Sequence, residues 1–264
     1  MKRSALFISA IVCAFSVGCQ DKPNENAAPT SSALAPAKPT TEAAKAFDVD
    51  ATKSKVSFEM DAPIEKIFGE ADGSAAGEVF IDVEDFAKCS GLLKIDLDKL
   101  VIYQQKREKE DGAFSERSKS DLQNEHARNW LGIGKDVAEA ENQKHRFIEL
   151  KITKVEPKGP KSLSAIQGNE RKAEIVVTGD FRLNERTVAK TAQLELTFTM
   201  TGDKPTSVRV KSLAPIAVSL EAHDVRPKDT LGALIQKTTD ELSTLGKKVS
   251  KDAMVSIDLT LKPR

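Results

Sequence analysis

Residues 175–200 read IVVTGDFRLNERTVAKTAQLELTFTM, and this stretch decides the fold class. Its apolar side chains occupy alternate positions on either side of a polar centre: Ile175, Val177, Phe181 and Leu183 before it, and Leu194, Leu196, Phe198 and Met200 after it. A period of two places such side chains on one face of each β-strand. The stretch therefore predicts two consecutive strands that each bury one face.

The same alternation recurs along the chain from residue 47 onward. Further runs of alternating apolar residues are Val56, Phe58 and Met60; Val79, Ile81 and Val83; Leu93, Ile95 and Leu97; Ile148, Leu150 and Ile152; Val208 and Val210; Ile216, Val218 and Leu220; and Val255, Ile257, Leu259 and Leu261. The connections between these roughly nine strands are mostly short and polar, which favours antiparallel pairing, because a parallel crossover needs about a dozen residues or more. We therefore predict an all-β domain over residues 47–264, as a closed barrel or a sandwich.

Two segments interrupt the strand pattern. Residues 115–130 place Leu122, His126 and Trp130 four positions apart, which predicts a helix. Residues 230–249 carry apolar side chains at helical spacing along one face, which predicts a second, amphipathic helix. Both helices are expected to cover an end of the barrel, and the open alternative is that one of them gates a cavity.

The N-terminus has the features of an export signal. Two basic residues precede an apolar run over residues 5–17, which is too short to cross a bilayer as a helix. The run ends in SVGC at residues 16–19, which resembles the bacterial lipobox, although Leu is usual at its first position. The resemblance implies that residues 1–18 are a lipoprotein signal peptide and that Cys19 carries the lipid anchor.

A second N-terminal segment follows the anchor. Residues 19–46 are rich in Ala, Pro, Thr and Ser and lack apolar periodicity, which predicts a flexible tether. Residue Gln20, rather than Asp, follows the anchor Cys, and its resemblance to enterobacterial sorting signals favours the outer over the inner membrane. These features predict a lipoprotein of the bacterial cell envelope that faces the periplasm and is bound to the membrane through its N-terminus.

Charge and cysteine content exclude some classes of function. Forty basic residues balance forty acidic ones, so the chain has no strong basic field for nucleic acid, and we predict no nucleic-acid partner. Of the three cysteines, Cys13 lies in the signal peptide, Cys19 is the predicted anchor, and Cys89 has no intramolecular partner. Cys89 is expected to be either a buried small apolar side chain or a reactive thiol.

The chain contains none of the common catalytic or cofactor-binding motifs, including the Gly-x-Ser-x-Gly turn, His-Glu-x-x-His and the P-loop. We therefore predict a protein that is not an enzyme and holds no cofactor. The acidic residues Asp82, Glu84 and Asp85 are expected to form a solvated turn. The three histidines are far apart in sequence, and no metal site is predicted from them, although such residues can still meet in space: His126, His145 and His223.

Several segments, in order along the chain, resemble the YceI-like, or polyisoprenoid-binding, family. Residues 178–198 (TGDFRLNERTVAKTAQLELTF) are similar to its signature hairpin, residues 47–63 (FDVDATKSKVSFEMDAP) to its first strands, and residues 124–131 (NEHARNWL) to its Arg-x-x-His-Leu element. The resemblance covers about residues 47–264. Asn184-Glu185-Arg186 stands where the family usually has a Gly, which predicts a longer or differently closed turn.

The resemblance implies an eight-stranded, lipocalin-like antiparallel barrel that encloses the tail of a long apolar ligand such as a polyisoprenoid. A barrel of about eight strands has an interior that is either filled by side chains or able to hold one slender ligand. The alternating pattern supplies the candidate lining residues: Phe58, Met60, Ile95, Leu97, Leu150, Phe181, Leu196, Phe198, Val218 and Ile257.

Two functions from different classes fit these observations. The leading one is a non-enzymatic, membrane-anchored protein that binds or sequesters a long-chain isoprenoid or other lipid inside the barrel. The alternative is a tethered protein-interaction or stress-response module whose core is dry and holds no lipid. The sequence identifies no protein partner for either function.

Overall fold

The computed structural model describes residues 25–226 and 250–264. The predicted signal peptide (residues 1–18), the predicted anchor Cys19 and the predicted helix over residues 230–249 lie outside the described residues. The strands are β1 Lys45–Val49, β2 Lys55–Asp61, β3 Glu65–Glu70, β4 Ala75–Ile81, β5 Ser90–Asp96, β6 Val101–Lys106, β7 Ser118–Lys119, β8 Phe147–Pro157, β9 Glu170–Leu183, β10 Arg186–Thr201, β11 Lys204–Ser212, β12 Ile216–Ser219 and β13 Asp252–Pro263. The helices described are α1 Asp121–Leu131 and α2 Glu139–His145.

Eight of the strands close a ring in chain order. Each of β1, β4, β5, β8, β9, β10, β11 and β13 pairs antiparallel with the next, and β13 pairs back to β1. The ring closes at Leu261, which lies opposite Val49 of β1 on one side and Val208 of β11 on the other. The predicted closed antiparallel barrel is confirmed, with the up-and-down topology that lipocalins use.

A second group of strands extends one end of the barrel. β2, β3, β6 and β7 pair in that order and join the ring where β2 pairs with β13, at Phe58 opposite Val255. We call these four strands the flared sheet. The alternation in the sequence did not predict β3, β6 and β7, because these strands are short and at least half of the residues in each are polar.

The opposite end of the barrel is filled by aromatic and aliphatic side chains. Phe86, in a single 3₁₀ turn after β4, and Phe198 of β10 are both fully buried, and their rings stack with centroids 5.7 Å apart. Leu163, in another 3₁₀ turn, belongs to the same buried cluster. Offset aromatic pairs contribute roughly 0.5–1.5 kcal/mol beyond the burial of their area, so this end of the barrel is a packed core.

The β9–β10 hairpin closes with a two-residue turn, Asn184-Glu185, so of the two expected alternatives the turn is differently closed rather than longer. Asn184 and Glu185 both have positive φ angles, of 49° and 59°. Two consecutive left-handed residues form the turn whose twist matches that of the flanking strands, so Gly is favoured there but Asn is also accepted. The Asn184 side-chain amide also donates to the carbonyls of His223 (3.0 Å) and Asp224 (3.1 Å), which holds the turn against the chain that follows β12.

Residues 26–41 lie along the outside of the barrel, and we call this segment the strap. Its hydrogen bonds to the wall run from Ala28 N–H to the Ala222 carbonyl (2.9 Å), from Ser31 N–H to the Glu185 carbonyl (2.6 Å), from Leu34 N–H to the Glu149 carboxylate (2.8 Å), and from the Thr41 hydroxyl to the Asp82 carboxylate (2.5 Å). The description of a flexible tether therefore does not suit this part of residues 19–46. From its composition, the polar groups of this segment were expected to be hydrated. Several of them form hydrogen bonds to the barrel instead.

The strap covers a buried ion pair on the outer face of the sheet. Glu149 of β8 is 2% exposed, and its carboxylate lies 2.8 Å from the Lys94 ammonium and 3.6 Å from the Arg182 guanidinium. The N–H of Leu34 in the strap completes its hydrogen bonding. A buried carboxylate is tolerated when it is paired and hydrogen-bonded in this way, and losing one partner is strongly destabilising.

Asp82 differs from the expectation of a solvated turn. It is 3% exposed and accepts hydrogen bonds from the Thr41 hydroxyl and from the N–H groups of Glu84 and Asp85. Burial acts to raise the pKa of Asp82, but these hydrogen bonds together lower the pKa below its ordinary value. Asp82 therefore acts as a fixed acceptor that holds the turn and the end of the strap.

Helix α1 begins later than predicted. Its first residue is Asp121, because the Ser120 hydroxyl caps the helix by accepting from the Gln123 N–H (3.2 Å). The helix ends at Gly132, whose φ of 76° is the left-handed conformation typical of helix C-termini. Leu122, one of the three residues whose spacing predicted the helix, is 59% exposed, so that spacing indicated the helix but does not mark its buried face. Helix α2 was not predicted.

We expect Phe198→Ala to lower the free energy of unfolding by about 3–5 kcal/mol, because it removes a fully buried ring that stacks on Phe86. Urea denaturation followed by circular dichroism measures this loss. Thr199→Ala, the next residue of the same strand, is exposed and serves as the control. Equal, small losses for both variants would contradict the assignment of Phe198 to the core.

Candidate ligand cavity

The barrel encloses an elongated apolar cavity of about 140 Å³. Its lining comes from inward-facing residues of the ring strands other than β1 and of β2 and β12, together with Cys89 before β5. Of the lining side chains in the described part of the chain, only that of Lys190 carries a charge. An enclosed site of this composition stays dry and selects hydrocarbon over polar groups.

Six of the predicted lining residues border this cavity: Ile95, Leu150, Phe181, Leu196, Val218 and Ile257. They lie on β5, β8, β9, β10, β12 and β13, one residue from each strand. The alternation in the sequence therefore assigned the inward face of each of these strands correctly. Whether these side chains contact a ligand stays a prediction.

The other four predicted residues lie elsewhere. Phe198 belongs to the packed end of the barrel, and Leu97 lies in a second buried cluster that includes Leu131. Phe58 and Met60 belong to β2, in the part of the strand that pairs within the flared sheet. Alternation gives the face of the strand on which a residue lies but not its position along the barrel axis. For this reason the sequence predicted these four residues as cavity-lining although they lie elsewhere.

Small side chains provide part of the space. Gly179 of β9 lines the cavity, and a Cβ atom there would lie 2.6 Å from the carbonyl oxygen of Lys151 and 2.9 Å from Cδ1 of Leu150. Ala192 of β10 also lines the cavity. Ala217 of β12, between the lining residues Ile216 and Val218, is exposed and does not add to this space.

The size of the cavity limits what it can hold in this conformation. Its volume is close to that of an engineered protein cavity of about 150 Å³ that binds benzene, and it is below the roughly 300–1,000 Å³ of typical ligand pockets. It therefore accommodates a short length of a slender chain. A longer ligand requires lining side chains such as Phe181 and Leu150 to change rotamer.

Cys89 also lines the cavity. Burial raises the pKa of its thiol to about 12, outweighing the hydrogen bond from the backbone of Asp82 that acts to lower it. A thiol with so high a pKa is protonated at neutral pH and is a poor nucleophile. Of the two interpretations left open by the sequence, the structure favours the buried apolar side chain.

The barrel wall is split between β10 and β12. β12 pairs with β13 and not with β10, and no backbone hydrogen bond among the described residues joins positions 186–192 to Ile216–Ser219. The last backbone bond across this boundary runs from the Leu213 N–H to the Gln193 carbonyl (2.9 Å). Pro215 lies where the pairing stops, and a proline has no N–H to donate to a neighbouring strand.

Lys190 bridges this split. Its aliphatic stem lines the cavity, and its ammonium donates to the carbonyl of Ala217 on the opposite border (2.9 Å). Long basic side chains commonly bury their stems and keep the charge at the edge of the apolar region. Sequence reasoning missed Lys190, although a signal existed: it is a charged residue at an inward position of β10, between Val188 and Ala192.

His223 is the second polar side chain at this end of the barrel. It is fully buried, its ring meets Phe181 edge to face with centroids 5.3 Å apart, and its Nδ1 lies 3.1 Å from the carbonyl oxygen of Arg186. Burial, helped by the charge of Lys190, lowers the pKa of His223 below its ordinary value. The ring is therefore neutral at pH 7, and Nδ1 is the nitrogen that donates to the carbonyl.

The other two histidines lie outside the cavity. His126 stacks on Trp130 in α1 with ring centroids 6.2 Å apart, and His145 Nε2 lies 3.7 Å from the Glu185 carboxylate. Within residues 25–226 and 250–264, no three His, Cys, Asp or Glu side chains come close enough together to hold a metal ion. Among the helices of these two ranges, none is long and apolar enough to cross a membrane.

The geometry defines a closed up-and-down β-barrel with an apolar interior and one charged residue at a split in its wall. No protein-family model matches the chain, and no curated protein matches it. Among solved structures, it is similar to a polyisoprenoid-binding domain from Saccharophagus degradans implicated in plant cell wall breakdown, with a TM-score of 0.49 and 14% identity over 83% of this chain and 99% of that chain. The pairing of the strands, rather than this likeness, establishes the barrel.

We expect the pH dependence of stability to report His223. Because its pKa is lowered in the folded state, the unfolded chain takes up the proton first as the pH falls through 6.5, the ordinary histidine value. Its stabilising contribution is complete above that pH and declines below it, by at most about 1.4 kcal/mol per pH unit. His223→Gln removes this decline, which urea denaturation from about pH 7.5 to about pH 5.5 measures.

The carboxylates with lowered pKa values, such as Asp96, titrate in a separate and more acidic range. His126→Gln is the control, because it removes a histidine from the outer helix and leaves the buried one in place. An unchanged decline in His223→Gln would show that the buried ring is not the source.

Proposed function

We propose that this protein is a non-enzymatic carrier that binds the hydrocarbon part of a lipid inside its barrel. The observation that carries the proposal is the enclosed apolar cavity, which lies among inward-facing side chains of the ring strands. Transfer of hydrocarbon from water to such a site contributes roughly 25 cal/mol for each Å² of apolar surface buried. The ligand class, a long-chain isoprenoid or a related lipid, is supported by the sequence resemblance to the polyisoprenoid-binding family.

Filling the cavity tests this proposal directly. Ala192→Phe adds a ring to the inward face of β10, so we expect it to weaken the binding of geranylgeraniol, an isoprenoid alcohol, by at least about tenfold. Native mass spectrometry of the protein with added geranylgeraniol, followed by organic extraction, measures the bound fraction.

Ala189→Phe is the matched control, because Ala189 lies on the same strand and is exposed on the outer face. It introduces the same ring without entering the barrel and is expected to leave binding unchanged. Equal binding by both variants, or no binding by the unmodified chain, would refute the carrier proposal.

We further propose that the carrier is anchored in the bacterial cell envelope through Cys19, facing the periplasm. The strap supports a close attachment, because its first hydrogen-bonded residue, Asn26, is seven positions after Cys19. Seven extended residues span at most about 25 Å. A lipid on Cys19 would therefore keep the split end of the barrel near the membrane surface, in contrast to the longer reach expected of a free tether.

Removal of the acylation site tests this anchoring. We expect Cys19→Ser to abolish labelling by radioactive palmitate and to move the protein out of the membrane fraction, because two or more acyl chains are needed for stable attachment. Cys89→Ser is the control and is expected to keep both the label and the membrane location. Labelling that persists in Cys19→Ser would refute the assignment of the anchor.

The volume of the cavity favours a second candidate function. At about 140 Å³ the interior is small for a whole lipid, so a protein-interaction or stress-response module with a permanently dry core is the alternative. The two functions differ in one measurable property, since only the carrier acquires a mass that is extractable as lipid. The Ala192→Phe experiment therefore separates them.

A further inference from the structure

Lys190 is the feature that an apolar carrier does not explain. It occupies an inward position of β10, in register with Gly179 of β9, where every neighbouring inward residue of the strand is apolar. A Leu or Met there would continue the alternation without bringing a charge to the cavity. The charged residue stands beside the split between β10 and β12, where no backbone hydrogen bond among the described residues joins the two segments.

The charge of Lys190 is not neutralised by the described protein. Its ammonium donates one hydrogen bond, to the uncharged carbonyl of Ala217, and makes no ion pair within residues 25–226 or 250–264. An ammonium group has three donors, so hydrogen-bonding capacity remains. The ammonium lies at an exposed position while its stem faces the cavity.

The other basic residue bordering the split is already engaged. Arg186, at the start of β10, lies 3.5 Å from the Asp224 carboxylate and also donates to the carbonyl of Ala28 in the strap (2.5 Å). His223 is neutral because burial lowers its pKa. Lys190 is therefore the cation available to a group that sits at the split.

We propose that the ligand is an amphiphile with an anionic head, whose chain occupies the cavity and whose head binds the Lys190 ammonium at the split between β10 and β12. This inference rests on the proposed function, because the cavity must first accept the chain. It adds to that function a head-group chemistry, namely a carboxylate or a phosphate, which the apolar lining alone does not select.

The preference for an anion follows from the donors present. A hydrogen bond between an ammonium and a carboxylate or phosphate is charge-assisted and about twice as strong as one between neutral groups. An alcohol head can accept from Lys190 but gains no ion pair. We therefore expect chains of equal length to bind more tightly when they end in an anion, with the advantage shrinking as salt is added.

Three probes with the same eight-carbon chain test the head group: octyl phosphate, nonanoate and 1-octanol. The protein is the full chain with Cys19→Ser, which removes the acylation site and keeps all described residues. Isothermal titration calorimetry at low salt is expected to give Kd values for the two anions about tenfold or more below that of 1-octanol. Comparison of the phosphate with the carboxylate shows which anion is preferred.

Variants at residue 190 identify the group responsible. Lys190→Met is expected to lose the preference for the anions while keeping the Kd for 1-octanol, and Lys190→Arg is expected to keep the preference. Lys190→Gln provides a second neutral variant in case the Met side chain occupies the cavity. Lys211→Met is the matched control, because Lys211 is an exposed lysine on β11, next to cavity-lining Val210.

The outcomes separate this inference from the proposed function. If 1-octanol binds but the anions bind no more tightly, or if Lys190→Met and Lys190→Gln keep the preference, the head-group assignment is wrong and the carrier function stands. If none of the probes binds to any folded variant, with folding checked by thermal unfolding, both are wrong. A loss of preference in Lys211→Met equal to that in Lys190→Met would assign the effect to overall charge and overturn the role of Lys190.

Discussion

Closure of the ring by its last strand is the constraint on which the rest of the structure depends. Strand β13 pairs with β11 on one side and β1 on the other, and Leu261 is buried between the two partners. Where the ring is closed, its strands have no exposed edge, which removes the main route to edge-to-edge association. It also forces one side chain in two to face the interior, so the same closure that satisfies the backbone creates the apolar cavity.

The closure is complete at one end of the barrel and partial at the other. Towards its N-terminal half, β13 exchanges its partners for β12 and β2, and β12 does not reach β10. Lys190 and His223 both lie at this end, where the Lys190 side chain reaches from the cavity to the border of the split. The packed end, around Phe86 and Phe198, offers no such position.

The sequence predicted the parts of the fold that follow from local periodicity. The alternation identified the inward faces of the long strands, because a slip of one residue would expose a whole apolar face. It could not identify the strap, whose hydrogen bonds join residues such as Leu34 and Glu149 that are 115 positions apart. A stretch rich in Ala, Pro and Thr has no apolar pattern of its own, and its order comes from polar groups on the barrel. Strands β3, β6 and β7 of the flared sheet were missed for a related reason, since they are short and at least half of the residues in each are polar.

The cavity could be predicted from the sequence to a similar extent. The alternation identified which side chains face inward. The position of a residue along the barrel axis depends on how neighbouring strands are staggered, and the stagger places Phe58 and Met60 in the flared sheet rather than beside the cavity. The split exists because β12 pairs with β13 and not with β10, and no local pattern in the sequence indicates this pairing. Lys190 was visible as a break in alternation, but its meaning required knowing that the wall opens beside it.

The strap connects the proposed membrane anchor, Cys19, with the proposed ligand site at the split. Its first part lies beside the split, where the Ala28 N–H bonds to the Ala222 carbonyl, and its last part reaches Asp82 near the packed end. Because these contacts hold the strap to the wall along its length, a lipid on Cys19 would fix which end of the barrel meets the membrane. That end carries the split and Lys190. An anionic amphiphile in the adjacent leaflet would then approach the barrel at the place where its chain can enter and its head can be paired.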